Sequence, residues 1–271
     1  MKKSVSLIIA VYNALQYLEY LFAGLQRQTL KEFEVVIADD GSGPEMKSLV
    51  DRLSREAGFQ VQHVWQPDEG FRKNAIMNKA IQSSQTDYLV FIDGDCIPHK
   101  KFLEDHWTHS RENTVLCGRR VNLSKQMTDR LNLEMIATGA HERFSPRFLI
   151  DGMLARSSNL EDGLRISSDG LRRLIPRNHA RILGCNFSLG KRIMERINGF
   201  DEDYRAPGIG EDTDPAFRLG LIGAEFASLR YLAVLYHLYH LPTKVGEENV
   251  RIFERVRKDR RAECLHGLRK N

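Results

Sequence analysis

The 271 residues carry 40 Lys and Arg against 36 Asp and Glu, and 42% of the side chains are hydrophobic, 28% charged and 8% aromatic. These are the proportions of a globular chain with material for one large core, and they exclude a disordered, collagenous or coiled-coil chain. No run reaches the roughly 18–20 apolar residues that span a bilayer, and Cys96, Cys117, Cys185 and Cys264 form no C-x-x-C pair, so no zinc ribbon or thioredoxin-like site is expected and the thiols should be reduced.

In chain order, the two leading lysines and short apolar run of residues 1–12 could pass for a signal peptide. Asn13 and Gln16 follow at once and no small-residue cleavage site appears, so a first strand over 5–11 is expected in a cytoplasmic protein. Leu15, Leu18, Leu21, Phe22 and Leu25 recur at helical spacing. A second buried strand is expected over 33–38, ending in Asp39-Asp40-Gly41-Ser42. Pro44 opens a helix with Met46, Leu49, Val50 and Leu53 on one face. A short strand over 61–65, a helix over 73–84 and a buried strand over 88–92 follow, the last running into Asp93-Gly94-Asp95. This alternation predicts an α/β fold, a Rossmann-like mainly parallel sheet flanked by helices.

Residues 122–180 read as a long central insertion, with a helix over 127–138 and little periodicity from 143 to 178. Regularity returns with a strand over 183–189, a short helix over 191–197, a helix over 213–221, and one or two strands within 224–237. Residues 251–271 hold eight Lys/Arg and three Asp/Glu, so the net +4 divides into +5 on this tail and −1 on the first 250 residues. A nucleic-acid partner is not expected from so local an excess. The division expected is one domain over 1–245, in a first half (1–121), the insertion (122–180) and a second half (181–245), then a basic helical extension over 246–271.

Ligands of open α/β sheets bind beyond the carboxyl ends of the strands, and that is where this chain concentrates polar groups: Tyr12-Asn13, Asp39-Asp40 and Asp93-Gly94-Asp95. Two carboxylates two residues apart suit a shared hard cation, Mn2+ or Mg2+, with a nucleoside diphosphate supplying further oxygens. Asp40 could accept from a uracil N–H or a ribose hydroxyl, with Asp39 or Ser42 capping the next helix. Arg72 could grip a pyrophosphate. Glu211-Asp212 stands after glycines and before a helix, placed either to cap that helix or to take a proton from an acceptor hydroxyl. His237-x-x-His240 offers imidazoles to a metal, or merely flanks a strand end; its spacing is not that of a zinc protease.

Together these motifs resemble a family 2 glycosyltransferase of the GT-A fold: Val5-Ser6-Leu7-Ile8-Ile9-Ala10-Val11-Tyr12-Asn13, Ala38-Asp39-Asp40-Gly41-Ser42 and Phe91-Ile92-Asp93-Gly94-Asp95 agree in order and spacing. The second half is similar to the galactosyltransferase-like region of bacterial chondroitin-type polymerases, through Gly184-Cys185-Asn186-Phe187-Ser188, Asn198-Gly199-Phe200-Asp201-Glu202, Gly210-Glu211-Asp212 and Tyr236-His237. The resemblance implies a metal-dependent, inverting transfer of a hexose or N-acetylhexosamine from a UDP-sugar to a glycan or lipid-linked acceptor in surface polysaccharide synthesis. It places the base on Asp212, an acceptor contact on Glu211, the metal on Asp95 and His237, and the nucleotide sugar on Ala10, Tyr12, Asp40, Arg72, Asp93, Gly94 and Asp95. Asp93, His240 and Asn186 are further candidates in the metal region and site wall. Relatives often carry Trp between the two glycines before Glu-Asp; here Ile209 stands there and cannot stack on a sugar.

Two other readings compete. A nucleotidyltransferase would carry a glycine-rich loop after strand one, and residues 10–15 contain no glycine. A non-enzymatic nucleotide-sugar binder would not need Asp93-x-Asp95, Glu211-Asp212 and His237 together. In the tail, Arg251, Arg255, Lys258 and Arg261 fall near one stripe with Ile252, Phe253 and Val256 interleaved, a pattern suited to anionic lipid at the inner membrane face or to a solvated helix.

Overall fold

A computed structural model describes residues 4–143, 146–154, 156–175, 180–241 and 246–270. Lys2 and Lys3, parts of the central segment, the joint at 242–245 and Asn271 lie outside the described residues. The elements are β1 (Val5–Val11), α1 (Leu15–Gln26), β2 (Phe33–Asp39), α2 (Pro44–Glu56), β3 (Gln60–Trp65), α3 (Lys73–Ser83), β4 (Tyr88–Asp93), β5 (Cys96–Pro98), α4 (Phe102–Thr108), β6 (Thr114–Cys117), β7 (Val121–Asn122), α5 (Lys125–Thr128), α6 (Leu133–Thr138), α7 (Pro146–Met153), α8 (Asp169–Leu174), β8 (Phe187–Gly190), α9 (Lys191–Arg196), α10 (Thr213–Leu221), β9 (Glu225–Ser228), β10 (Leu235–His237) and α11 (Glu247–Asp259).

Seven strands form one sheet in the order β3-β2-β1-β4-β8-β6-β9. Its pairs are parallel except where β8 runs against β4 and β6, so the sheet is mixed and mainly parallel. The mostly apolar strands β1, β2 and β4 follow from burial on both faces, where the exceptions Ser6 and Glu34 bond to each other. Val5, Leu7 and Ile9 meet α1, α2 and α4 on one side, while Ile8, Val36 and Phe91 meet α3, α9 and α10 on the other. A second, three-stranded sheet, β5-β10-β7, gathers a smaller core of Ile97, Val121, Val234 and Tyr236 under α1 and α6.

Four sequence expectations change. The strand expected over 183–189 begins only at Phe187, because Asn186 N–H donates to the Leu183 carbonyl and closes a turn ahead of it. The helix expected over 127–138 is two, since Asn132 starts a new one by accepting from Met135 N–H. The described part of the insertion contains short helices tied to the body, with Glu142 held bidentately by Arg27 and Arg165 bonded to Asp105. The tail is helical only to Asp259. Residues 260–270 fold back without helix, where Cys264 and Leu268 donate N–H groups to Ile197 and Asn198. The apolar stripe of α11 faces inward: Ile252, Phe253 and Val256 are half-buried, and Phe253 packs edge-on against Phe217. No helix among the described residues is long and apolar enough to cross a membrane.

Candidate active site

The register of the sheet builds one rim. Val11 pairs with Asp39, and Ala10 pairs with Ala38 on one side and Asp93 on the other, so three strands end level. Two backbone bonds draw the rim tight, Gly94 N–H to the Ala10 carbonyl (2.8 Å) and Asp40 N–H to the Val11 carbonyl (3.1 Å). Only glycine fits at 94, where a Cβ would stand 2.8 Å from Val11 Cγ1. Above this rim lies a cleft of about 580 Å3 that takes in Ala10, Tyr12, Asp40, Asp93, Gly94 and Asp95 from the first half of the chain. Glu211, Asp212, His237 and His240 face it from the other half.

The Asp39-Asp40 pair divides its labour. Asp39 is buried and holds the turn, accepting from Ser42 N–H (2.8 Å) and meeting His63 Nε2 (2.9 Å). Asp40 opens on the cleft and accepts from Gln66 Nε2 (2.6 Å) and Arg72 N–H (2.8 Å). Burial nevertheless pushes its carboxyl up. Tyr12 is half-exposed and donates to Asp68 (2.9 Å).

The metal region is assembled by pairing. β10 runs antiparallel to β5 with His237 opposite Cys96, and Leu238 N–H donates to the Asp95 carbonyl. Asp95 Oδ2 therefore stands 3.5 Å from His237 Nε2 and 3.3 Å from His240 Nε2. Ligand atoms of Asp95, Cys96 and His237 lie within 4.8 Å of one another, a group that could hold a metal ion. Burial lowers the His237 pKa and favours the neutral, ligating imidazole. Burial also pushes the Cys96 thiol well up, and a protonated thiol is a poor ligand for a hard cation; His240 lies against Asp95 but outside that three-residue group.

At the centre is a residue the sequence reading passed over. Lys73 Nζ stands 2.8 Å from Asp93 Oδ1 and 2.6 Å from Glu211 Oε2, joining the two halves of the site. Burial alone would lower its pKa, but the two carboxylates raise it well above the ordinary value. Glu211 Oε1 accepts from Gly208 N–H, so this side chain holds the 208–212 turn. Asp212 stands at the N-cap position just before α10 without a side-chain capping bond; its carboxylate accepts from the Thr213 hydroxyl (3.0 Å). Burial, then the neighbouring Glu211 charge, raise the Asp212 pKa.

Two expected site residues lie elsewhere. The Arg72 guanidinium turns out of the cleft, donating to the Pro67 carbonyl (2.7 Å) and pairing with Glu69 (2.7 Å), because its own N–H is committed to Asp40 and the next side chain, Lys73, points inward. Asn186 is fully buried: its amide donates to the Arg119 and Ala233 carbonyls and its oxygen meets His106, so it fixes backbone beneath the site and is not on the cleft wall. Arg120 and Cys185 do line the cleft, and the sequence reading named neither as a ligand. The available signal was Val115-Leu116-Cys117-Gly118-Arg119-Arg120, an apolar run whose polar end meets the same strand-end rule.

A model of glycosyl transferase family 2 matches residues 6–164, more than half of the chain. The chain belongs to this family. A second model, described as the N-terminal domain of galactosyltransferase, matches residues 171–241. The first match runs well into the segment expected as an insertion. Among curated proteins, this family 2 chain is 26% identical over 237 residues to a chondroitin synthase of Pasteurella multocida (82% of this chain, 23% of that protein). It is also 26% identical over 243 residues to one of Escherichia coli (86% and 34%). It thus spans about a quarter to a third of the length of these relatives. Among solved structures, a mannosyltransferase of Pyrobaculum calidifontis in complex with GDP-Man and Mn2+ aligns with a TM-score of 0.57 at 17% identity, over 97% of this chain and 63% of that one. That likeness identifies the GT-A-like fold. The two matched regions are those of sugar-transferring enzymes.

Proposed function

We propose that the protein is a metal-dependent, inverting glycosyltransferase that moves a hexose or N-acetylhexosamine from a UDP-sugar to a hydroxyl of a glycan or lipid-linked acceptor, in surface polysaccharide assembly. The observation that carries this is Asp95 set between His237 and His240 on the floor of a cleft whose wall presents Asp212 free of any capping bond. Asp40 and Tyr12 are placed to receive the nucleoside, beyond the strand ends where such sheets bind ligands. Asp95, His237 and His240 would hold Mn2+ or Mg2+. Mn2+ is favoured by two imidazoles beside one carboxylate, and it is the ion named with the mannosyltransferase of like fold. When bound, such an ion offsets the charge that grows on a departing diphosphate.

The chain's own residues supply the rest. Asp212 takes the proton of the acceptor hydroxyl as its oxygen attacks the anomeric carbon, and its raised pKa suits that task. Lys73 fixes Glu211 and with it the turn that carries Asp212, so the base is positioned before the acceptor arrives. Attack from the face opposite the leaving group inverts the anomeric carbon. Contact with an anionic inner-leaflet surface would rest mainly on the charge of the tail, since Ile252, Phe253 and Val256 of α11 are half-buried and of its apolar side chains only Val250 is exposed. The test is calorimetric titration of UDP, GDP and ADP with and without Mn2+ on wild type and Asp95→Ala, followed by UDP release from UDP-sugars. Metal-dependent UDP binding lost in Asp95→Ala is expected. Binding of no nucleoside diphosphate would refute the reading.

A further inference from the structure

The cleft contains two permanent side-chain cations in unlike circumstances. Lys73 is held by two carboxylates. Arg120, on the short connection between β6 and β7, lines the same cleft with a single side-chain bond, from Nη1 to Cys185 Sγ at 3.4 Å. Among the described residues no carboxylate lies within ion-pairing distance of it; Asp93, across the floor, is bonded to Lys73. The other inward-turned arginines are paired: Arg27 with Glu142, Arg165 with Asp105, Arg218 with Asp201 and Asp214, Arg230 with Asp162. The charge of Arg120 is offset by Cys185, Cys96 and Asp93 rather than by a close ion pair, and its remaining N–H groups form a planar fork suited to phosphate oxygens.

We propose that Arg120 binds the diphosphate of the donor, in the place that the sequence suggested for Arg72. The assignment rests on the nucleotide-sugar reading above, and three observations meet in it. Arg72 faces Pro67 and Glu69. Arg120 and His237 line the same cleft, Arg120 just before β7 and His237 on β10, two strands that pair with His237 opposite Asn122. Cys185 accepts from one nitrogen and so fixes the orientation of the fork. In the transfer, the acceptor oxygen bonds to the anomeric carbon, its proton passes to Asp212, and the bond from that carbon to the β-phosphate oxygen breaks with its electron pair staying on the phosphate. Arg120 N–H groups receive that charge.

The test is titration, in the presence of Mn2+, of UDP, uridine and inorganic pyrophosphate into wild type, Arg120→Met, Arg120→Lys and Arg72→Met. Arg120→Met is expected to weaken UDP and pyrophosphate by about 10- to 100-fold while leaving uridine within about twofold, the scale of a charge-assisted hydrogen bond or two. Arg120→Lys, which keeps the charge and loses the fork, should fall between, and Arg72→Met should stay nearer to wild type. Unchanged UDP affinity in Arg120→Met, or a loss of uridine as large as that of UDP, overturns the assignment. If Arg120→Met does not melt cooperatively, Arg120→Lys decides: pyrophosphate affinity equal to wild type overturns it. Pyrophosphate bound through Arg120, with no nucleoside diphosphate bound more tightly, would keep the anion site and refute the nucleotide-sugar reading, so the two failures are distinguishable.

Discussion

Replacing Lys73 by methionine removes the cation between Asp93 and Glu211 and leaves both carboxylates in place. The three side chains are 18%, 22% and 19% exposed, so water screens the pair only in part. Breaking a buried ion pair from one side costs about 3–5 kcal/mol, and one-fifth exposure reduces that to about 2–3 kcal/mol. At roughly 2–4 °C per kcal/mol for a chain of this size, the melting temperature should fall by about 5–10 °C. The effect has a pH signature. Burial works to raise the Asp93 pKa, and Lys73 outweighs it, so the folded value lies below the ordinary 3.8. A carboxylate with a lowered folded pKa contributes stability that is present above its unfolded value and is lost as pH falls through the folded one. The gap between wild type and Lys73→Met should therefore be full at pH 7 and narrow below about pH 4. Lys73→Met/Glu211→Gln should recover part of the loss by removing one of the stranded charges. Calorimetric melts between pH 3.5 and 8 read all of this; a single variant melting with wild type at neutral pH, or a gap indifferent to pH, would refute the clamp.

Asp212→Asn should lower turnover by about 10²–10⁴ while UDP affinity stays within about twofold, because the base meets the acceptor rather than the nucleotide; a comparable loss of UDP binding would move this residue out of the base role. His240→Ala should weaken Mn2+ binding at least about tenfold, and Cys96→Ala by less than about threefold, if nitrogen and oxygen donors hold the ion. Paramagnetic titration of Mn2+ separates the two, and the reverse order would make Cys96 the ligand. Glu142→Gln should lower the melting temperature at pH 7, since Arg27 holds that carboxylate through two bonds of 2.7 and 2.9 Å. Burial works to raise the Glu142 pKa, but Arg27, His99 and Lys100 N–H bring it below the ordinary 4.5, so the stability at stake is present above that value and fades as pH falls through the folded one. The variant and wild type should converge in acid melts, and a gap that widens there would contradict the pairing.

The sheet was legible because burial on both faces leaves a plain trace: 5–11, 33–38 and 88–92 are apolar but for Ser6 and Glu34, which bond to each other, and each ends in the residues that form the rim. The rim followed from topology alone. What the pattern could not carry was the direction of individual side chains. Arg72 and Lys73 are neighbours with equal charge, and which one enters the cleft depends on Asp40 capturing the Arg72 N–H, a contact between residues 32 apart. Asn186 sits in a motif that carried the resemblance, yet its amide serves two carbonyls that reach it only after the chain beyond β6 and ahead of β10 has folded around it. In the tail, helical spacing was real, but the partner of its apolar stripe is Phe217 of α10. Periodicity identifies a buried face without saying what buries it.

The charge of the cleft sets a condition on how it can be filled. Its wall carries six carboxylates, Asp40, Asp68, Asp93, Asp95, Glu211 and Asp212, against two cations, Lys73 and Arg120, with His237 held neutral by burial. Lys73 is already matched by Asp93 and Glu211, which leaves Arg120 to face the remaining carboxylates. A nucleoside diphosphate adds two or three negative charges to this surface, within a few ångströms of Asp95, where repulsion is only weakly screened. A divalent ion on Asp95, His237 and His240 reverses the local sign, so UDP should bind after the ion or together with it. With Mn2+ chelated away, UDP should bind no more tightly than uridine, because the phosphates gain Arg120 and lose to the carboxylates. With Mn2+ restored, UDP should gain about 100-fold over uridine, the scale of several charge-assisted contacts. Uridine itself should respond to Mn2+ by less than about twofold, since it carries no charge to be repelled. UDP binding that is tight without the ion would mean that the carboxylates of this cleft are protonated or turned away at neutral pH, and the ordering argued from them would fall.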